Sequence, residues 1–151
     1  MAEALATEKV VRIGGATASF SDTALSVPQL LAKGELDYLI FDYLAEGSMG
    51  IFGRMQSADP AAGYGTDFLT VHVGPYLSDI ASQGIKVVAN AGGVNPAGLA
   101  AALETLIAAK GLELTVAYVA GDDLRGREAE LRAAFESVTR RPFWFQVDRI
   151  V

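Results

Sequence analysis

Cysteine is absent from the 151 residues, which removes disulfides, thiolate nucleophiles and every Cys-ligated zinc or iron–sulfur site from consideration. Histidine is nearly absent too: His72 stands alone. One imidazole does not build a multi-histidine metal site, so carboxylates or a second subunit would have to complete one. Cations are scarce, with 12 Lys and Arg against 18 Asp and Glu, a net charge of −6 and a pI near 4.7. Surfaces that track a phosphate backbone depend on clustered Lys and Arg, so nucleic acid is not an expected partner. No apolar run approaches the roughly 20 residues that span a bilayer. The opening MAEALATEKVV has two acidic residues and no basic segment ahead of an apolar stretch, unlike a secretory signal. A cytoplasmic chain with no membrane partner is the expectation.

What is present is apolar. Hydrophobic residues make up 51% of the chain and charged residues 20%, slightly richer and poorer, respectively, than ordinary globular usage, which suggests a subunit with a covered face. The length suits one domain over 1–151, burying roughly 70% of its unfolded surface.

Along the chain, strand-like and helix-like segments alternate. Val10 to Ala16 reads as a strand stopped by a tight turn at Gly14-Gly15. Ser26 is placed to cap a short helix through Leu31 that ends at Gly34, with Pro28 tolerated in its first turn. Tyr38 to Leu44 (YLIFDYL) is a nearly continuous apolar run, as in a strand covered on both faces, interrupted by Asp42. Met49 to Gly65 carries four glycines and Pro60 and reads as a long loop, with at most one turn of helix.

From Asp67 a helical spacing runs to Gly84, kinked at Gly74-Pro75. Ile85 to Ala89 is a short third strand. Asn95 as N-cap and Pro96 as first helical residue then open a helix to about Lys110, with Gly111 as its stop. Leu114 to Val119 reads as a fourth strand, and Gly121-Asp122-Asp123 starts a charged helix. The aromatic ending FWFQVDRIV is a candidate fifth strand whose apolar edge calls for a cover, either a second copy or a separate chain. Strands separated by crossovers of this length pair in parallel. The expected class is α/β, a mostly parallel doubly wound sheet of four or five strands flanked by helices, although part of a larger barrel would show the same alternation.

In such sheets ligands bind beyond the carboxyl ends of the strands. The loops there contain Gly14-Gly15-Ala16-Thr17, Asp42 to Glu46, Asn90 to Asn95, and Gly121 to Asp123. Asn90, Gly92, Gly93 and Asn95 place glycines and backbone N–H groups at a helix N-terminus, where the dipole favours an anion such as a carboxylate, a phosphate or an enolate oxygen. The same residues would also serve as a tight turn and cap. No Walker pattern or G-x-G-x-x-G is present, so no nucleotide cofactor is implied. Asp42 and Glu46 flank Tyr43, and a pair of carboxylates in a partly dry site can divide acid and base roles; otherwise Asp42 caps a turn and Glu46 is solvated. Asp122 and Asp123 suit either a divalent cation or a plain helix start. Tyr64, Asp67 and Arg54 sit on or beside the long loop, where Tyr64 and Asp67 can close over a substrate. His72 falls within a helical pattern and reads as structural.

Five blocks in order, RIGGATASFSDT, LDYLIFDYLAE, DPAAGYGTDF, GIKVVANAGGVNP and AGDDL, together resemble the signature segments of the acyclic terpene utilisation (AtuA) family over about residues 11 to 124, with 125–151 left unmatched. The resemblance implies a setting in bacterial breakdown of acyclic terpenes such as citronellol and geraniol, through branched acyl-CoA thioesters. Typical members continue for several hundred residues, which implies one part of a larger enzyme or an activity split between chains. Two functions follow as expectations. One is an enzyme subunit, a hydratase or dehydratase type of lyase, acting on a branched acid or its CoA thioester; Asp42, Tyr43 or Glu46 moves the proton and the Asn90 to Asn95 turn holds the carbonyl. The other is a non-catalytic binding or assembly subunit that completes a partner's site.

Overall fold

The computed structural model describes residues 10–139. Three short strands, β1 (Ile13–Thr17), β2 (Tyr38–Phe41) and β3 (Lys86–Ala89), pair in parallel in the order β1-β2-β3. Ile13, Tyr38 and Lys86 lie in one row, and Gly15, Ile40 and Val88 in another. The strands join through helices α1 (Ser26–Lys33), α2 (Glu46–Ala58) and α3 (Leu77–Ser82); α4 (Pro96–Ala109) and α5 (Glu128–Thr139) follow the sheet. A π-helical turn at Phe68–His72 and a 3-10 turn at Gly74–Tyr76 precede α3, and a 3-10 turn at Arg125–Arg127 precedes α5.

A strand order that follows the sequence has a consequence. Right-handed crossovers between successive parallel neighbours carry their helices to the same face of the sheet. Burial follows that rule. Leu39 and Phe41 of β2, with Ala16 of β1, are buried against Val27 and Leu31 of α1, Phe52 of α2 and Ile80 of α3. Gly14 belongs to this covered face, where an added Cβ would lie 3.0 Å from Leu36 and 3.2 Å from Leu30, so the glycine lets α1 close on the strand. The opposite face is open: Ile13, Ile40 and Val88 are 58%, 44% and 56% exposed. On it the Lys86 ammonium stands 5.5 Å from the centre of the Tyr38 ring, a cation–π contact.

Several expectations therefore change. The strand does not stop at the glycine pair; β1 runs through Gly14 and Gly15 to Thr17. Ser26 is the first residue of α1, not its cap, and its hydroxyl donates to the Thr23 carbonyl; Gly34 closes the helix in the left-handed region at φ 63°. Met49 to Gly65 is largely helical, because α2 spans Glu46–Ala58. Its glycines lower intrinsic propensity, but Phe52 is fully buried between the helix and the core and anchors it. The kinked helix from Asp67 breaks into a π turn, a 3-10 turn and α3, and Gly74 is required where a Cβ would collide with the Leu69 carbonyl.

Leu114 to Val119 forms no strand among the described residues. Leu112, Leu114 and Val116 are half-buried while Glu113, Thr115 and Ala117 are exposed, so the two-residue period marks a half-covered extended segment without supplying a ladder neighbour. Among the described residues the sheet has three parallel strands and one covered face, and the four or five strands of a doubly wound sheet are not found there. The proposed fifth strand lies outside the described residues. Among those described, no helix is long and apolar enough to cross a membrane.

Candidate functional site

Beyond the carboxyl ends of β2 and β3 the chain knits its two strand-end loops together through one side chain. Asn90 accepts the Tyr43 N–H on its Oδ1 at 2.6 Å and donates from Nδ2 to Asp42 Oδ1 at 2.9 Å. Asp42 also accepts the Leu44 N–H at 3.1 Å. These bonds, the one from Asn90 first, hold the exposed Asp42 carboxyl below the usual carboxylate range, because a hydrogen bond to the charged form favours it. Asp42 is therefore a fixed carboxylate at neutral pH, oriented as an acceptor but a weaker base than an unpaired carboxylate.

We expect Asn90→Ala to raise the Asp42 titration midpoint, read by carboxyl-carbon NMR. The associated stability has a definite sign: it is fully present above the ordinary carboxylate pKa and is lost as pH falls through the lowered one. An unchanged midpoint would show that Asn90 does not hold the charge.

Tyr43 turns the other way. Its side chain is fully buried, and burial, followed by the negative charge of Asp67, pushes its phenol far above its ordinary value. It stays protonated. Glu46 is the exposed first residue of α2, where a carboxylate complements the positive end of the helix dipole; the Ala45 N–H donates to Ser48 Oγ at the same terminus. The three residues grouped as an acid–base set are thus separated: Asp42 and Glu46 face solvent, and Tyr43 points into the core.

The Asn90 to Asn95 turn differs from the open anion cradle expected. Gly93 N–H donates to the Asn90 carbonyl, Val94 N–H to Gly63 and Asn95 N–H to Gly92. Asn95 does cap α4, accepting the Gly98 N–H, while its amide nitrogen donates to the carbonyls of Ala61 and Ala62. Gly92 packs against Pro96, and Gly93, at φ 52°, packs against Phe52 and the Gly63 carbonyl. Both glycines are thus needed for close approach, and the N–H groups of residues 93 to 95 are already paired. Gly14 and Gly15 lie inside β1, away from the strand-end loops.

Tyr64 is half-buried against the core. Asp67 is the residue that the tertiary structure promotes. One of its oxygens accepts the Phe68 N–H at 3.0 Å, and the other accepts the Ser21 N–H at 2.9 Å and stands 3.6 Å from His72 Nε2. His72 is fully buried beside Tyr43, with ring centres 6.4 Å apart. Reading His72 as an ordinary helical residue missed this grouping, since the five residues Phe68–His72 that follow Asp67 fold as a π turn, which simple helical spacing does not anticipate.

Asp122 and Asp123 border a groove of about 510 Å³ with Met49, Gly93, Val94, Leu124, Arg125 and Leu131 among its walls. Asp123 grips Arg125 through its guanidinium and backbone N–H, and that partner holds its carboxyl down at about 2. Arg125 also reaches Gln56 Oε1 at 2.7 Å. Asp123 is thus committed to a protein cation, and no described group of three His, Asp or Glu is arranged to hold a metal ion.

The model of the family described as "Acyclic terpene utilisation family protein AtuA" matches residues 11–143. The match continues past the block AGDDL through α5, so the segment after 124, taken from its sequence as unmatched, is largely covered. No curated protein and no solved structure matches the chain.

Proposed function

The chain belongs to the acyclic terpene utilisation (AtuA) family, and on that premise we propose that it is a subunit of an enzyme acting on a branched carboxylic acid or its CoA thioester by adding or removing water. The observation that carries this reading is the Asp42 carboxylate, ionised and fixed by Asn90 beyond the sheet's carboxyl edge. In the dehydration direction Asp42 takes the proton from the carbon next to the carbonyl. The C–O bond at the neighbouring carbon breaks, and the hydroxyl leaves as water with a proton from a second group, for which Glu46 is the nearest in sequence. The N–H groups of residues 93 to 95 are paired within the chain, so the charge that develops on the carbonyl oxygen is met by the α4 dipole alone.

The test is to incubate the purified assembly with branched α,β-unsaturated and β-hydroxy acids and their CoA thioesters in heavy-oxygen water. Mass spectrometry should find one solvent oxygen in a product or the loss of one water. If no member of either series exchanges or loses oxygen, the reading is wrong.

A second reading, a binding or assembly subunit, is favoured by the open sheet face. Parallel sheets are ordinarily covered on both sides, and no described residue covers Ile13, Ile40 and Val88. If another copy or a partner chain covers them, Ile40→Glu should release it and lower the mass measured by light scattering. A variant with the same native mass would remove the support for this reading.

A further inference from the structure

Three polar atoms in one place are buried without a well-formed hydrogen bond: the Tyr43 hydroxyl, which lies beside the Asp67 carboxylate, and both ring nitrogens of His72. The 3.6 Å between His72 Nε2 and Asp67 is too long for a hydrogen bond. Buried polar groups are almost always paired, and leaving one unpaired costs roughly 1–3 kcal/mol. Two further departures from ordinary backbone meet here. Phe68–His72 is a π turn, a form found mostly at functional sites. Ser21, whose N–H is latched to Asp67, is the one described non-glycine residue with positive φ, at 62°, a conformation that L residues other than Asn and Asp seldom hold without a reason.

The walls are aromatic. Phe41 and Phe68 stack edge to face at 5.1 Å, Phe68 lies 6.0 Å from Tyr43, and Phe20 covers Tyr43 from the loop at 6.3 Å. That loop is held in shape by Asp22, which accepts the N–H groups of Ala18 and Thr23.

From this geometry we infer a binding site for the hydroxyl group of a small, otherwise apolar alcohol, formed by Tyr43, His72 and Asp67 and covered by the loop of residues 18–22. The choice of ligand follows from counting donors and acceptors. A phenol hydroxyl both donates and accepts, and an imidazole carries at least one N–H. A carboxylate has no hydrogen to give and would meet the charges of Asp67 and Asp22. An ammonium accepts nothing and would leave the phenol O–H and the imidazole N–H unpaired. A hydroxyl does both, and the aromatic walls suit the carbon skeleton attached to it. Entry requires the Ser21–Asp67 latch to open and Phe20 to swing away. The site is on the covered side of the sheet, and its existence does not depend on the water-adding reaction proposed above.

Because His72 is the only histidine in the sequence, its ring nitrogens give one unambiguous pair of NMR signals. We expect 3-methylbutan-1-ol, added to the nitrogen-15-labelled protein, to shift those signals saturably, and the carboxylate and ammonium of the same skeleton to leave them in place. Tyr43→Phe keeps the ring and removes the hydroxyl; it should bind the alcohol about fivefold more weakly, the loss of one ordinary hydrogen bond, with backbone amide spectra confirming an intact fold. Unmoved signals at tens of millimolar alcohol, equal shifts with either charged analogue, or undiminished affinity in Tyr43→Phe would each overturn the assignment.

Discussion

Replacing Asp42 by Asn should lower kcat for the proposed hydration or dehydration by roughly 10²–10⁴-fold, the usual range for a positioned general base, while KM changes little. The substitution is nearly isosteric, and the new amide oxygen can still accept from Asn90 and Leu44. Only the basicity is removed. A loss confined to kcat is the signature of an interaction made in the transition state, whereas a rise in KM alone would mean that Asp42 merely helps to hold the substrate. Glu46→Gln tests the second role: Glu46 is exposed at a helix terminus and lacks the hydrogen bonds that fix Asp42, and as the proposed proton donor its replacement should lower kcat as well. If Asp42→Asn turns over at the wild-type rate, the base is elsewhere and the mechanism proposed here fails.

Gly93→Ala should destabilise the fold rather than weaken a ligand contact. The residue sits in the left-handed region at φ 52°, and a Cβ there would lie 2.5 Å from the Phe52 ring and 2.7 Å from the Gly63 carbonyl oxygen. The backbone term costs about 1–2 kcal/mol and overpacking about 1–3 kcal/mol. Their sum is a large share of a typical stability of about 5–15 kcal/mol. For a domain of this size the melting temperature should fall on the order of 10 °C, measured by circular dichroism. The opposite pattern, full stability with weakened substrate binding, would restore the turn as an anion cradle.

The two predictions separate roles that look alike in the primary structure. Asp42 and Gly93 both lie in loops beyond strand ends, and both residue types are common in sites. What distinguishes them is their neighbours. Gly93 is pressed against Phe52, a residue of a helix that local composition does not suggest, since α2 carries Gly47, Gly50 and Gly53. Phe52 and the packing around it outweigh the weak propensity, and a reader of the chain alone sees a loop. The same limit applies to Asp67 and His72. Their convergence with Ser21 and Tyr43 depends on a π turn and on a contact across 46 residues of chain.

By itself the sequence determined the family, the alternation of strands and helices through β3, and the start of α4. Each of these rests on local chemistry: a run of β-branched residues, an Asn-Pro cap, a Gly stop, and blocks of residues in order. Only the tertiary structure decided that, among the described residues, three strands form the sheet and one of its faces stays open. It also decided that the Asn90 to Asn95 N–H groups are largely spent within the chain, and that Tyr43 faces inward beside His72. Those outcomes depend on which distant group occupies the space next to each residue, and burial and hydrogen-bond pairing are settled only when that neighbour arrives.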